Sequence, residues 1–221
     1  MLFFKNSSRV IQVEPLAALG WLEHGFGTRH GAPEDGNLAT LCQIHSCRVL
    51  VADGRTGRIG EGDALIARMP GTRVGVRTAD CLPVLLADER LHAVAAIHAG
   101  WRGTVQGIAG RTVEALVRTF GSRPEDLHAA IGPGIGFCCF EVGPEVAAEF
   151  RALFPERDDL GRRTRVDLAE ANRRQLAAAG LPPSRIYCGA PCTVCAPEDF
   201  HSWRRDGERA GRMVAVVGIR S

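Results

Sequence analysis

The sequence has no apolar run long enough to cross a membrane and no excess of charge of either sign. Its first residues, MLFFKNSSRVIQVEP, contain too short an apolar stretch for a signal peptide or a membrane span. There are 27 basic and 25 acidic residues, a formal net charge of +2, without blocks of like charge. We therefore expect a cytoplasmic monomer or weak homo-oligomer that binds small molecules, and neither nucleic acid nor membranes.

Internal repeats and low-complexity linkers are also lacking, so the 221 residues are expected to fold as one domain, 1–221. Runs of Val, Ile and Leu bounded by Gly, Pro or Asp predict strands at 10–14, 47–53, 63–68, 72–78, 82–88, 91–99, 127–132, 185–189 and 213–219. Helical spacing predicts helices over 104–120, 143–154 and 167–180. This mixture of hairpins and crossover helices predicts an α+β (mixed α/β) fold with a mixed β-sheet core flanked by helices.

Eight cysteines would suggest a disulfide scaffold in a short secreted chain, but this chain is long and shows no export signal. We expect reduced thiols, some of them buried and some catalytic or metal-bound. Cys138 and Cys139 are interpreted as buried thiols. Cys188, Cys192 and Cys195 form a candidate second zinc site, with His201 nearby but without an obvious fourth ligand.

The stretch RTADCLPVLLADERLHAVAAIHAGWRGT, residues 77–104, predicts an antiparallel hairpin with reactive side chains at its open end. Pairing the two strands brings Cys81, just before the first strand, close to His98, at the end of the second. A thiol beside an imidazole is typical of a catalytic nucleophile and its base, or of two metal ligands. A buried cysteine packed beside a hydrogen-bonded histidine is the alternative.

His45, in LCQIHSCRVL, is the candidate third member of this group because it lies at the mouth of another predicted strand. Two imidazoles and one thiolate can hold zinc while a fourth coordination position stays open for water or substrate. Long spacings between ligands also favour an open catalytic site over a closed structural one.

Motifs along nearly the whole chain resemble the laccase-domain, YfiH-like family. They occur in the order HGFGTRHG (24–31), QIH (43–45), GDALI (62–66), ADCLPVLLAD (79–88), AIHAGWRGT (96–104), AAIGPGIGFCCFEVG (129–143), DLAEANRRQL (167–176), CT (192–193) and FHSWRRDGERAGRM (200–213). The resemblance implies a metal centre held by His45, Cys81 and His98, with zinc as the metal and copper as the alternative.

The activities described for this family are polyphenol oxidation, phosphorolysis of purine nucleosides and peptidoglycan editing. Zinc has no redox change of its own, and a single His2Cys centre lacks the further ligands of a multicopper oxidase. We therefore expect a zinc-dependent purine nucleoside phosphorylase acting on adenosine, inosine and methylthioadenosine, with adenosine deamination as a second activity. The alternatives are an amide hydrolase that edits muropeptide precursors, a polyphenol oxidase, and a zinc-stabilised domain without catalysis.

Five further residues are candidates for binding the substrate or its phosphate. Arg29 suits phosphate because a guanidinium bonds it through two nitrogens, although a solvated loop arginine fits equally. Asp80 could orient a histidine ligand or cap a turn. Arg102, Glu141 and Arg204 lie in the family motifs and contact either the substrate or the surface.

One segment departs from the family pattern. Relatives carry a helical excursion before the QIH motif, whereas here Asn37-Leu38 is followed almost at once by Gln43. We expect a short, tight link over 38–43 and a pocket that is more open on this side.

Overall fold

The computed structural model describes residues 2–33 and 36–221, which form many short strands and a few helices. The strands are β1 (Phe3–Lys5), β2 (Ile11–Val13), β3 (Leu22–Phe26), β4 (Leu38–Cys42), β5 (Val49–Val51), β6 (Gly57–Glu61), β7 (Ala64–Ala67), β8 (Arg73–Thr78), β9 (Leu82–Asp88), β10 (Val94–Ala99), β11 (Leu127–Ile131), β12 (Glu141–Val142), β13 (Thr164–Arg165), β14 (Ile186–Tyr187) and β15 (Met213–Ile219). The α-helices are α1 (Glu14–Ala17), α2 (Trp101–Val105), α3 (Ile108–Phe120), α4 (Pro144–Glu149), α5 (Leu168–Ala178) and α6 (Trp203–Asp206). Within the described residues, no helix is long and apolar enough to span a bilayer.

The strands divide between two large mixed sheets. One has seven strands in the order β1-β2-β3-β15-β8-β4-β6, and the other has six in the order β14-β11-β9-β10-β7-β5. Strands β12 and β13 form a separate pair. The predicted mixed fold with flanking helices is thus confirmed, with the correction that its strands form two sheets instead of one.

Strand β9 lies in the middle layer, which explains its uninterrupted apolar sequence. Val84 and Leu86 pack in a core that also contains residues of α3 and α5. Leu85 and Ala87 point the other way, into a core shared with β8 and β15 of the seven-stranded sheet. A strand covered on both faces needs apolar residues at every position, so the usual alternation disappears.

The six-stranded sheet brings the ends of several strands together. β9 and β10 pair antiparallel, with Pro83 opposite His98. β10 also pairs with β7, where Ile97 is opposite Ala64, and β7 pairs in parallel with β5. The residues just outside these strands therefore share one edge.

The predicted helix over 104–120 is wrong in its first part, because two helices occupy this region. α2 ends at Val105, and α3 begins at Ile108. Gly107 separates them with a φ of 84°, a left-handed conformation that glycine adopts without steric cost. Gly121 ends α3 as predicted, with a φ of 74°. The predicted cap of α5 is also confirmed, since the Asp167 carboxylate accepts a hydrogen bond from the Glu170 N–H at 2.9 Å.

The expected tight link over 38–43 is also wrong, because most of it is strand β4. Ala39 pairs in parallel with both Gly57 of β6 and Val74 of β8. Asn37 provides the turn before it, with a φ of 56°. The few residues between Asn37 and Gln43 suffice because the chain enters the seven-stranded sheet as β4 directly after the turn.

Candidate metal site and cavity

His45, Cys81 and His98 converge as predicted. Their ligand atoms all lie within 4.8 Å of one another, and the Cys81 sulfur is 3.9 Å from His45 Nε2. The two imidazole rings meet edge to face with centroids 4.9 Å apart. His98 is buried, whereas His45 is exposed. The cluster thus closes onto the sheet on one side and faces solvent on the other.

The backbone around the cluster adopts unusual conformations that aim these side chains. His45 has a φ of 58°, and Asp80, the residue before Cys81, has a φ of 81°. A Cβ on Gly100 would lie only 2.9 Å from the Cys81 sulfur and 3.0 Å from the His45 ring. Position 100 therefore requires glycine for the thiol and the imidazole to meet.

Asp63, just before β7, fixes both histidines. Its buried carboxylate accepts from His98 Nδ1 at 2.9 Å and from the backbone N–H of His45 at 3.0 Å. The N–H and hydroxyl of Ser46 also donate to it, at 2.6 and 2.7 Å. Burial alone would raise the pKa of Asp63, but the His98 and Ser46 hydrogen bonds outweigh it and hold this pKa at about 2. Since Nδ1 of His98 is engaged, Nε2 is the nitrogen left for the cluster.

The surroundings stabilise Cys81 as a thiolate. Burial alone would raise its pKa, yet hydrogen bonds with His45 and His98 lower it to about 6. For His98, burial acts to lower the pKa, and the contacts with Asp63 and Cys81 raise it to about 9. A thiolate, two imidazoles and a carboxylate behind one of them are a donor set that fits zinc.

The cluster lies in the wall of a cavity of about 910 Å³. Its described lining is basic and aromatic. The charged side chains include five arginines and two carboxylates: Arg58, Arg77, Arg102, Arg204, Arg212, Asp80 and Glu141. The aromatic ones are Trp101, Phe140 and Trp203. Such a lining suits an anion together with a flat ring.

Three of the predicted substrate residues line this cavity with exposed side chains. The Arg102 guanidinium stacks on the Trp101 ring, 4.4 Å from its centroid. Arg204 Nη1 donates to the carbonyls of Cys139 and Glu141, at 3.0 and 3.1 Å. The Glu141 carboxylate accepts from Arg163 at 3.2 Å.

Asp80 also borders the cavity, but it does not orient a histidine. Its carboxylate accepts from Thr193 Oγ1 at 2.6 Å, from Ser202 Oγ at 3.0 Å and from the Arg204 N–H at 2.6 Å. Asp80 instead joins the loop residue Thr193 and the N-terminal end of α6, at Ser202 and Arg204, beside Cys81, which is closer to the capping role that was the alternative. The prediction that it orients His45 or His98 is wrong, because Asp63 takes that position.

Arg29 does not belong to the described lining of the cavity. One of its guanidinium nitrogens is 3.3 Å from the Phe200 carbonyl and 3.6 Å from the Asp206 carboxylate. Sequence analysis did not identify three residues that the structure places at the site: Asp63, which holds His98, and Arg58 and Arg77, which line the cavity. Asp63 could have been noticed within the GDALI motif, whereas nothing local distinguishes the two arginines from surface residues.

The remaining cysteines form a second group whose membership differs from the prediction. Cys138, Cys139, Cys192 and Cys195 have sulfur atoms within 4.8 Å of one another. Cys188 and His201 are not part of it. The interpretation of Cys138 and Cys139 as buried thiols is wrong, because Cys138 is exposed and Cys139 is half-buried.

Comparisons with known proteins identify the family and agree with the fold. Residues 26–220 match the family described as "Multi-copper polyphenol oxidoreductase laccase". A Deinococcus radiodurans protein named purine nucleoside phosphorylase is 45% identical over 185 residues, 83% of this chain and 70% of its own. A protein named adenosine deaminase RL5, from an unknown prokaryotic organism, is 41% identical over 77% of this chain and 70% of its own. The crystal structure of YlmD from Geobacillus stearothermophilus superposes with a TM-score of 0.90 at 27% identity, covering 100% of this chain and 99% of that one. This chain belongs to the laccase-like, YfiH-type family of multi-copper polyphenol oxidoreductase laccases.

Proposed function

We propose that the protein is a zinc-dependent purine nucleoside phosphorylase that accepts adenosine, inosine and methylthioadenosine. The observation that carries the proposal is the open His45-Cys81-His98 cluster in the wall of an arginine-rich, aromatic cavity. Two relatives named purine nucleoside phosphorylase, at 45% and 40% identity, support the same reaction.

His45, Cys81 and His98 would hold the metal, and Asp63 would keep His98 in the tautomer that ligates through Nε2. A zinc ion bound there supplies Lewis-acid chemistry, polarising an oxygen of substrate or water. The donor set favours zinc, because one thiolate and two imidazoles leave one position of a tetrahedron open. Copper is the alternative metal, and elemental analysis of the purified protein would distinguish copper from zinc.

The arginines are the proposed phosphate-binding residues. Arg58, Arg77 and Arg102 form no ion pair within residues 2–33 and 36–221, so their charges are available to an anion. Arg102 is held against Trp101 by stacking, which restricts where its guanidinium can lie. Arginines without ion-pair partners can bind the phosphate that phosphorolysis requires as its second substrate. They therefore favour phosphorolysis over reactions in which water is the second substrate.

In the proposed reaction a phosphate oxygen bonds to C1′ of the ribose while the bond from C1′ to N9 of the purine breaks. The bonding electrons leave with the purine, which takes up a proton, and the products are the free base and ribose 1-phosphate. The arginines bind and orient the phosphate. Trp101 and Trp203 line the cavity and are the indole rings proposed to contact the base; Trp203 is 49% exposed.

Adenosine deamination is the second candidate activity, favoured by the relative named adenosine deaminase at 41% identity. There, water replaces the amino group at C6 and ammonia leaves. Its products, inosine and ammonia, differ from adenine and ribose 1-phosphate, so one chromatogram separates the two reactions.

The test is to incubate the zinc-loaded protein with adenosine, inosine or methylthioadenosine, with and without phosphate. We expect phosphate-dependent release of free base together with an equal amount of ribose 1-phosphate or its methylthio counterpart. Parallel reactions contain a nucleotide-linked muramoyl-serine substrate or a polyphenol with oxygen. Turnover of either of these, without phosphate-dependent base release, would contradict the proposal.

A further inference from the structure

We propose that Cys138, Cys139, Cys192 and Cys195 form a second metal site that holds one zinc ion through four thiolates. This site is separate from the His45-Cys81-His98 cluster and does not depend on the proposed reaction. It is called the four-cysteine site below.

The distances among the sulfur atoms suit a tetrahedral metal. The Cys195 sulfur lies 3.4 Å from that of Cys139 and 3.6 Å from that of Cys138. Zinc-sulfur bonds of about 2.3 Å in a tetrahedron place the sulfurs about 3.8 Å apart. A disulfide would require about 2.05 Å, and all four cysteines are free thiols. The sulfurs are therefore grouped at metal-ligand spacing.

The backbone already joins the two segments that supply the ligands. The Thr193 N–H donates to the Gly134 carbonyl at 2.9 Å, and Gly134 and Cys192 form a parallel bridge. The Gly136 N–H points at the Cys192 sulfur from 3.2 Å, a contact that stabilises thiolate ligands. Cys192 and Cys195 also have the Cys-x2-Cys spacing that is common in structural zinc sites.

Four thiolates and one Zn²⁺ would together carry a net charge of −2. Two arginines contact the loops that supply these thiolates. Arg205 Nη1 donates to the carbonyls of Thr193 and Val194, at 3.0 and 3.3 Å. Arg204 Nη1 donates to the carbonyl of Cys139 at 3.0 Å. The Arg205 guanidinium is already paired with the Asp206 carboxylate, so the Arg204 guanidinium is the group that offsets the charge of the site.

Four protein ligands leave no open coordination position, so the four-cysteine site is structural. It would tie the loop 134–140, which forms part of the cavity wall, to the loop 192–195. Ile135 and Phe140 line the cavity from the first loop. Thr193, in the second loop, donates to the Asp80 carboxylate beside Cys81 at 2.6 Å. A zinc ion at the four-cysteine site would fasten this wall without touching the substrate.

The test counts metal ions in the full-length protein, purified under reducing conditions with zinc and then desalted. We expect two zinc ions per chain in the wild type, one in the Cys138→Ser/Cys195→Ser double variant and one in Cys81→Ala. Cys188→Ser is the matched control, because its half-buried thiol lies outside both groups, and it should keep two zinc ions. One zinc ion in both the wild type and the double variant would overturn the proposal.

Cobalt titration of Cys81→Ala gives a second readout that does not need the double variant to fold. One equivalent of Co²⁺ should produce the intense sulfur-to-cobalt charge-transfer absorption and the visible bands of a tetrahedral tetrathiolate. Zinc should then displace it. Failure to develop these bands would overturn the proposal, and a thiol count lower by two would then show that two of the four sulfurs are joined in a disulfide.

Discussion

Asp63 Oδ1 lies 2.9 Å from His98 Nδ1 and also accepts the backbone N–H of His45 at 3.0 Å. One carboxylate therefore sets the position of both imidazoles of the candidate metal site. It is fully buried, and its conformation is fixed further by Ser46. The site therefore depends on a residue that is not one of its three candidate ligands.

Asp63→Asn should weaken zinc binding by about 10- to 100-fold, because an amide cannot replace the charged acceptor behind His98. Zinc affinity is measured by competition with a chromogenic chelator, and kcat/KM is followed in parallel. Asp88→Asn is the control: Asp88 is an equally buried carboxylate that accepts two backbone N–H groups just after β9. Equal zinc affinities for the two variants would show that the Asp63 contact has no role in binding.

Cys81→Ala should remove the zinc of the His45-Cys81-His98 cluster and reduce turnover by orders of magnitude. The stability loss should stay in the usual range of roughly 0.5 to 3 kcal/mol, because only one sulfur at the end of a strand is lost. Zinc content, activity and thermal unfolding are measured on one preparation. A sharp fall in melting temperature would instead indicate a structural metal, since its binding energy would then be folding energy. Full turnover in this variant would contradict the mechanism altogether.

The convergence of Cys81 and His98 could be predicted because β9 and β10 are consecutive, wholly buried and joined by a short turn. Buried strands have apolar runs that are visible in the sequence, and a hairpin fixes which ends meet. The cap of α5 could also be predicted, because Asp167 and Glu170 are only three residues apart in the sequence.

The parts that could not be predicted depend on distant segments or weak patterns. Strands β1 and β6 are short and partly exposed, and β4 has only five residues with Thr40 in its middle, so none of them has a long apolar run. The four-cysteine site combines loops that only the tertiary fold brings together. Arg29 sits in a distinctive motif, but its guanidinium lies against Phe200 and Asp206, outside the described lining of the cavity.

Arg77→Gln should raise the KM for phosphate by roughly tenfold, the loss of about 1.4 kcal/mol that one charge-assisted contact can supply. The backbone of Arg77 is clamped by Gln43, which accepts its N–H at 2.8 Å and donates to its carbonyl at 2.7 Å. The substitution should therefore leave the local fold and kcat at saturating phosphate nearly unchanged. Arg118→Gln, on the exposed face of α3, is the matched loss of one positive charge. The same phosphate KM in both variants would remove Arg77 from the phosphate site.

His24 should make the protein less stable as the pH falls from 6.5 towards 4. Its buried Nε2 accepts the Val13 N–H at 2.9 Å, and burial lowers its pKa to about 4. The unfolded chain, in which this pKa is near 6.5, therefore binds more protons over that range, and unfolding becomes easier as the pH falls.

The expected loss for His24 is on the order of 3 kcal/mol between these two pH values, since each pKa unit corresponds to about 1.4 kcal/mol. Urea unfolding of the wild type and of His24→Gln at several pH values checks it, because glutamine keeps an acceptor near Val13 but does not titrate. The difference in unfolding free energy between the two proteins should be constant above pH 7.5 and should shift in favour of the variant as the pH is lowered. Parallel curves down to pH 4 would mean that His24 takes up its proton equally well in the folded protein.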